Sequence, residues 1–444
     1  MTERQSELIE LIKKEVKPAL GCTEPIAVAL AVAKAIEILE ERGHINNRLQ
    51  DNFIVNIEVS SNILKNAMGV GIPGTGMVGL HIAAALGAVC GKSCYGLEVL
   101  RELDETSISR AKEIVKEKLI EVNLAQTETL LYIKASVKVD TVSDSAESDT
   151  HQATVIIEND HDKISQIHID GDCLFTANNC IEVKEDKSTL DYKLTVEEIY
   201  NFINEIPFED ISFILDSRTL NQALAEEGLS GRYGLKVGWA IKKESNKEVF
   251  GSDFMSHAMC ITAAASDARM AGCTLPAMSN SGSGNQGITA TMPIIAYSQR
   301  YSISDEQLAR ALTLSHLIAI HIKGYLGKLS ALCGCVIAST GASCGLVYLR
   351  GGSYPQICYC IKNMIGNITG MVCDGAKEGC AMKVASGVAS AIQSAVLARE
   401  DICISSDDGI IEEDIEKTIK NLGSIGSKGM KGTDSMILEI MVCK

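Results

Sequence analysis

Positive charge is scarce in this chain of 444 residues. Its 41 Lys and Arg stand against 57 Asp and Glu, a net −16, which argues against nucleic acid and against an anionic membrane surface as partners. An anionic substrate would therefore need a local source of positive potential. No Cys-x-x-Cys pair occurs among the 16 cysteines, which sets aside a zinc ribbon and a thioredoxin-type site. Residues 1–7 are polar and mixed in charge, with no secretory or transit pattern. The cysteines are accordingly expected reduced, in a cytoplasmic protein, and not paired as disulfides. No internal repeat is evident. The uncharged run 332–349 approaches the length of a membrane span, but glycines, cysteines and hydroxyl residues interrupt it, so a buried helix is expected.

What is present reads as globular: 46% apolar and 22% charged, long enough for two domains. Leu8, Ile9, Leu11, Ile12 and Val16 sit at helical spacing over 4–17, and Pro18 ends the run. A second helix is expected from Pro25 to Arg42, closed by Gly43. Residues 53–59 alternate as a strand; an Ala-rich stretch at 78–90 and a charged helix near 106–122 follow. Residues 129–140, 152–158 and 163–170 alternate as further strands around an acidic loop at 143–150. Residues 436–442 read as a strand that could rejoin their sheet. From 195 to about 420 helical patterns dominate, with small residues dense at 258–272, 308–323, 331–348 and 381–398. The expected fold is α+β: an N-terminal α+β domain with a small sheet over 1–190, and an all-helical C-terminal domain over 191–435.

Two Gly-x-Gly-x-x-Gly matches, at Gly74 and Gly282, lack the preceding strand that a dinucleotide fold needs, so neither is read as one. The segment 278–287, Met-Ser-Asn-Ser-Gly-Ser-Gly-Asn-Gln-Gly, is either a nest of donors for a carboxylate or phosphate, with a helix starting near Ile288, or a polar connector. Cys22, at the joint of the first two helices, is either a thiol activated by a helix N-terminus or a buried cysteine beside a Thr23 cap. The glycine-rich stretch 62–79, with Lys65 and Asn66, is a substrate wall or a plain linker. His81, His257, His316 and His321 are isolated and read as structural.

Cys373 and Cys380 lie in Gly370-Met-Val-Cys-Asp-Gly-Ala-Lys-Glu-Gly-Cys-Ala-Met-Lys383, and Cys333 lies forty residues upstream. Three thiolates from two segments can hold an iron–sulfur cluster and leave one iron open as a Lewis acid. Cys90, Cys94, Cys260, Cys344 and Cys403 sit among apolar or small residues and read as core.

Four motifs together resemble the L-cysteine desulfidase family, which is related to the α-chain of iron–sulfur L-serine dehydratases. They are Lys17-Pro-Ala-Leu-Gly-Cys-Thr-Glu-Pro25, the stretch from Leu275 to Pro293, Leu329-Ser-Ala-Leu-Cys333, and the stretch from Gly370 to Lys383. The resemblance covers nearly the whole chain and is specific for family more than for substrate. It implies a [4Fe–4S] cluster in the helical domain on Cys333, Cys373 and Cys380, with Cys335 a rival for the first position. It also implies active-site roles for Cys22, Thr23 and Glu24, with Cys22 the expected base. Substrate contacts are expected from Ser281, Ser283, Asn285, Gln286, Lys65 and Asn66. The implied reaction is α,β-elimination of L-cysteine, a small amino-acid substrate, to hydrogen sulfide, ammonia and pyruvate. L-Serine dehydration and a non-catalytic iron–sulfur sensor are the alternatives. A homodimer is the expected assembly.

Overall fold

The computed structural model describes residues 1–142, 148–177, 192–327 and 330–443. The boundary expected at 190/191, residues 143–147 of the expected acidic loop, and Leu329 of the third motif lie outside the described residues. The architecture is α+β, with a sheet in the N-terminal region and a largely helical C-terminal region.

Among the described residues six strands form one sheet in the order β3-β2-β4-β5-β6-β7. They are β2 (Phe53–Val59), β3 (Ile120–Leu124), β4 (Tyr132–Val142), β5 (Ser148–Glu158), β6 (Ile164–Ile169) and β7 (Asp172–Thr176). β2 and β3 run parallel and the other neighbours antiparallel. Because side chains alternate along a strand, Phe53, Val55, Ile57 and Val59 all reach one buried face, with Ile133, Ala135 and Val137 of β4 and Val155 and Ile157 of β5 beside them. The helices Thr23–Glu41 and Leu80–Cys90 share this core and are apolar nearly all round, as helices buried on every side must be. Gly87 allows their contact, since a Cβ there would lie 2.4 Å from the Ala29 carbonyl oxygen.

The helix expected to 122 stops at Lys116, and Lys118 turns the chain at φ 58 into β3. The β-branched Ile120 and Val122 then take a sheet edge that charge periodicity alone did not reveal.

The second core gathers the helices from Val196 onward, and the opening helix Glu3–Glu15 joins it through Leu8, Ile9, Leu11 and Ile12. The chain then crosses to the sheet region through β1 (Pro18–Ala19), which pairs antiparallel with β8 (Ala277–Met278). That two-stranded strap departs from an all-helical C-terminal region. Helix Gly334–Leu349 is buried from Cys335 to Val347, as the sequence suggested for its uncharged run. Among the described residues one helix, Cys380–Arg399, is long and apolar enough to cross a membrane; half of it is buried against neighbouring helices.

Two expectations fail here. Residues 436–442 belong to a helix, Lys431–Val442, not to a strand. Their polarity does not alternate, and Met, Leu and Glu favour helix where no strand partner imposes a pleat. Cys94 is exposed, and Cys90 and Cys403 are partly exposed, whereas Cys260 and Cys344 are core.

Candidate functional site

The β1–β8 strap brings distant segments together. Ser279 donates from N–H and hydroxyl to the Lys17 carbonyl, at 2.9 and 2.6 Å, and Ser281 N–H donates to the Glu15 carbonyl at 2.8 Å. Cys22 caps the start of helix Thr23–Glu41, and the Thr23 hydroxyl donates to the Gly282 carbonyl at 2.7 Å. The sequence motif around Cys22 is thereby stitched to the 278–287 motif more than 250 residues later.

That second motif is a tight turn followed by a helix. Asn280 and Ser283 exchange backbone hydrogen bonds at 3.1 and 3.0 Å, while Ser281 and Gly282 take positive φ of 48° and 76°. Asn280 locks the turn. Its side-chain Oδ1 accepts from Gln286 Nε2 at 2.7 Å and from the Ser281 hydroxyl at 2.9 Å, and its Nδ2 donates to His316 Nδ1 at 2.9 Å. Burial pushes the His316 pKa down to about 3, so the ring stays neutral and can accept. The side chains of Ser281 and Gln286, expected as free donors, are thus occupied in shaping the turn. Helix Gly284–Arg300 begins four residues ahead of Ile288, capped by the Ser283 hydroxyl on Gln286 N–H. Its first two N–H groups, on Gly284 and Asn285, have no acceptor among the described residues, as is normal at a helix start.

The cysteines converge through a short backbone pairing. Leu332 and Val372 form an antiparallel bridge; Cys333 N–H donates to the Met371 carbonyl at 3.0 Å and Cys373 N–H to Ala331 at 2.7 Å. The Cys333 thiol donates to Cys373, which holds Cys373 below the ordinary thiol range and Cys333 above it. Cys380 opens helix Cys380–Arg399. The loop between these cysteines lies on helix Ser61–Ala67, where a flexible loop was expected. Gly375, at φ +91°, is required there, since a Cβ would meet the Lys65 carbonyl oxygen at 2.3 Å.

One cavity of about 130 Å³ collects these parts: Cys22, Thr23, Glu24, Asn66, Ser281, Ser283, Asn285, Gln286, Cys333, Cys373 and Cys380 all line it. Lys65 does not. It is 2% exposed and paired with Asp434 of the Lys431–Val442 helix, which corrects its expected place on a substrate wall. Cys335 also reaches the cavity lining, but its thiol donates to the Lys383 carbonyl at 3.2 Å.

Three cations and a histidine in this wall escaped the sequence reading: Arg269, Lys323, Lys383 and His161. Arg269 had a signal, as one of only two charges with Asp267 in the small-residue stretch 258–272. Lys383 pairs with Asp374 at 2.5 Å. Lys323, on helix Asp305–Leu326, has no hydrogen bond or ion pair among the described residues, and burial pulls its pKa down to about 8. Cys22 moves the other way. Burial pushes its thiol up to about 12 against the opposing charge of Arg269, so the helix N-terminus expected to favour a thiolate is outweighed.

No three Cys, His, Asp or Glu ligand atoms of this cavity come within 4.8 Å of one another among the described residues, a spacing too open for a single ion. The group that does is His44, His151 and Asp170, away from the cavity. There the two imidazoles stack at 3.5 Å and 17°, which sets their lone pairs parallel and not convergent.

The profile of the serine dehydratase alpha chain family matches residues 94–439. This chain belongs to that family. Within it, the chain is 48% identical to a UPF0597 protein of Parabacteroides distasonis, over 99% of this chain and 98% of the relative. It is 46% identical to one of Oleidesulfovibrio alaskensis (99% and 98%) and 44% to one of Shewanella halifaxensis (98% of each). Those names specify no reaction. The serine dehydratase alpha chain match spans the three cysteines and the 278–287 turn, while Cys22 to Glu24 precede it and align only with the full-length relatives.

Proposed function

We propose that this protein catalyses α,β-elimination from a small α-amino acid, with L-cysteine yielding hydrogen sulfide, ammonia and pyruvate. The observation that carries the reading is that Cys333, Cys373 and Cys380 meet Cys22 and the cations Arg269, Lys323 and Lys383 on one cavity.

Cys333, Cys373 and Cys380 would hold a [4Fe–4S] cluster. Three thiols drawn from two segments and gathered on one cavity suit a polynuclear group. Bound there, the cluster supplies a Lewis-acidic iron for the leaving group. Cys335 is engaged by the Lys383 carbonyl and packed against Gly387, which supports Cys333 as the first ligand.

The protein's own groups divide the remaining work. Lys323 Nζ, without a hydrogen bond or ion pair among the described residues and lowered to about 8, takes the Cα proton. The sequence had favoured Cys22 for this step; its burial argues for Lys323 instead, with Cys22 packed beside Arg269. Glu24 supplies a negative charge for the substrate ammonium, and the start of helix Gly284–Arg300 faces the carboxylate. Loss of the Cα proton and of the β-thiol gives aminoacrylate, whose imine form hydrolyses to pyruvate and ammonia.

L-Serine dehydration is the second reading, favoured by the family match, with hydroxide leaving in place of sulfide. The deciding experiment measures pyruvate from anaerobically purified protein with L-cysteine, L-serine or neither. Release from neither amino acid would leave the sensor reading and sink both eliminations. A reducing cytoplasmic setting and a homodimer accompany the proposal.

A further inference from the structure

We infer that Arg269 is the cationic receptor for the α-carboxylate of the ligand in this cavity, an inference that deepens the amino-acid elimination proposed above. Arg269 is 4% exposed, on helix Phe254–Met270. Its Nη2 donates to the Gly21 carbonyl at 2.8 Å and its Nη1 to Asn285 Oδ1 at a long 3.3 Å. Its Nε is buried with no acceptor among the described residues, and the guanidinium has no ion pair among them. A buried guanidinium is ordinarily paired, because its desolvation is otherwise uncompensated. This one lines a cavity instead, with a donor unused.

The start of a helix adjoins the same place. Gly284 and Asn285 begin a helix of 17 residues, and Asn285 both lines the cavity and is touched by Arg269. Gly284 makes the arrangement possible, since a Cβ there would stand 2.2 Å from Arg269 Nε. A full positive charge beside a helix N-terminus suits a planar carboxylate, which a guanidinium binds with matched geometry. In a chain of net charge −16 this is the local positive potential that an anionic ligand requires. The ligand class is therefore free α-amino acids; amides and peptide-linked residues, which lack the charge, are discriminated against.

The test is equilibrium dialysis on anaerobically purified protein, with L-alanine, which carries no leaving group, and L-alaninamide as probes. Wild type should prefer L-alanine. Arg269→Gln should weaken L-alanine binding roughly 10- to 100-fold, the range for a hydrogen bond to a charged group, and leave the amide little changed. Arg269→Lys, which keeps the charge, should restore part of the preference. Gly284→Ala, which crowds Nε, should reduce it. Equal affinity of wild type for both probes, or equal loss of both in Arg269→Gln, would overturn the inference. If circular dichroism shows Arg269→Gln to be misfolded, the other two variants decide, and undiminished discrimination in Gly284→Ala and Arg269→Lys together counts against it. The readout needs no turnover. Arg269-dependent L-alanine binding without pyruvate formation would remove the elimination and keep the carboxylate site, and turnover with Arg269-independent binding would do the reverse.

Discussion

Replacing Lys323 should change the shape of the pH–rate profile as well as its height. With a pKa of about 8, set chiefly by burial, about one Lys323 in a hundred is neutral at pH 6, about one in eleven at pH 7 and about half at pH 8. If neutral Lys323 removes the Cα proton, kcat rises about tenfold from pH 6 to 7, about fivefold from 7 to 8, and levels above that. Cys22 as base predicts something else. A thiol held near 12 would give a rise that continues through pH 9 without levelling. Lys323→Gln should lose the limb and roughly 10²–10⁴ of kcat, and Lys323→Arg, always charged, should match it. The assay is anaerobic pyruvate release at saturating amino acid from pH 6 to 9.5. Because a free thiol itself titrates near ~8.5, the comparison of variant with wild type carries the assignment. A limb near pH 8 that survives in Lys323→Gln refutes the reasoning, as does a wild-type profile still climbing at pH 9.

Three other outcomes are expected. Anaerobic protein should carry about four irons per chain, with most of the iron lost in Cys333→Ser, Cys373→Ser and Cys380→Ser and retained in Cys335→Ser; iron analysis that reverses Cys333 and Cys335 would move the first ligand. His316 is buried neutral with its folded pKa lowered from 6.5 to about 3, so its contribution is complete above pH 6.5 and shrinks as pH falls, by ~3 kcal/mol at pH 4. Urea unfolding of metal-free protein should show this slope, and His316→Gln should flatten it. Asp434→Asn leaves Lys65 buried without its carboxylate and should cost roughly 2–3 kcal/mol in the same assay, below the 3–5 typical of a fully buried pair because Asp434 is partly exposed; an unchanged midpoint would make the C-terminal helix a passive appendage.

Local pattern was enough for much of this protein. The period-2 alternation of 53–59 and the helical period of 4–17 name their elements because each is amphipathic or buried on a single face. The α+β class follows from where strand-like and helical patterns fall. The cysteines and the 278–287 turn were visible because thiols, and glycines among Ser, Asn and Gln, are unusual together, and eleven of the twelve named site residues line the cavity. Lys65 was misplaced because a glycine-rich string does not disclose that its first turn is helical and its lysine paired with residue 434.

Tertiary structure decided the rest, because those properties depend on partners distant in sequence. The opening helix deserts its neighbours for the second core, and the β1–β8 strap with the Thr23–Gly282 hydrogen bond then carries Cys22 to the Ser281 turn. The Leu332–Val372 bridge, not the spacing of forty residues, sets Cys333 beside Cys373. Burial is likewise a property of the fold. It reverses the helix-end effect on Cys22, brings Lys323 toward neutrality and leaves Arg269 Nε without an acceptor among the described residues, and no residue's own type announces the solvent it will lose.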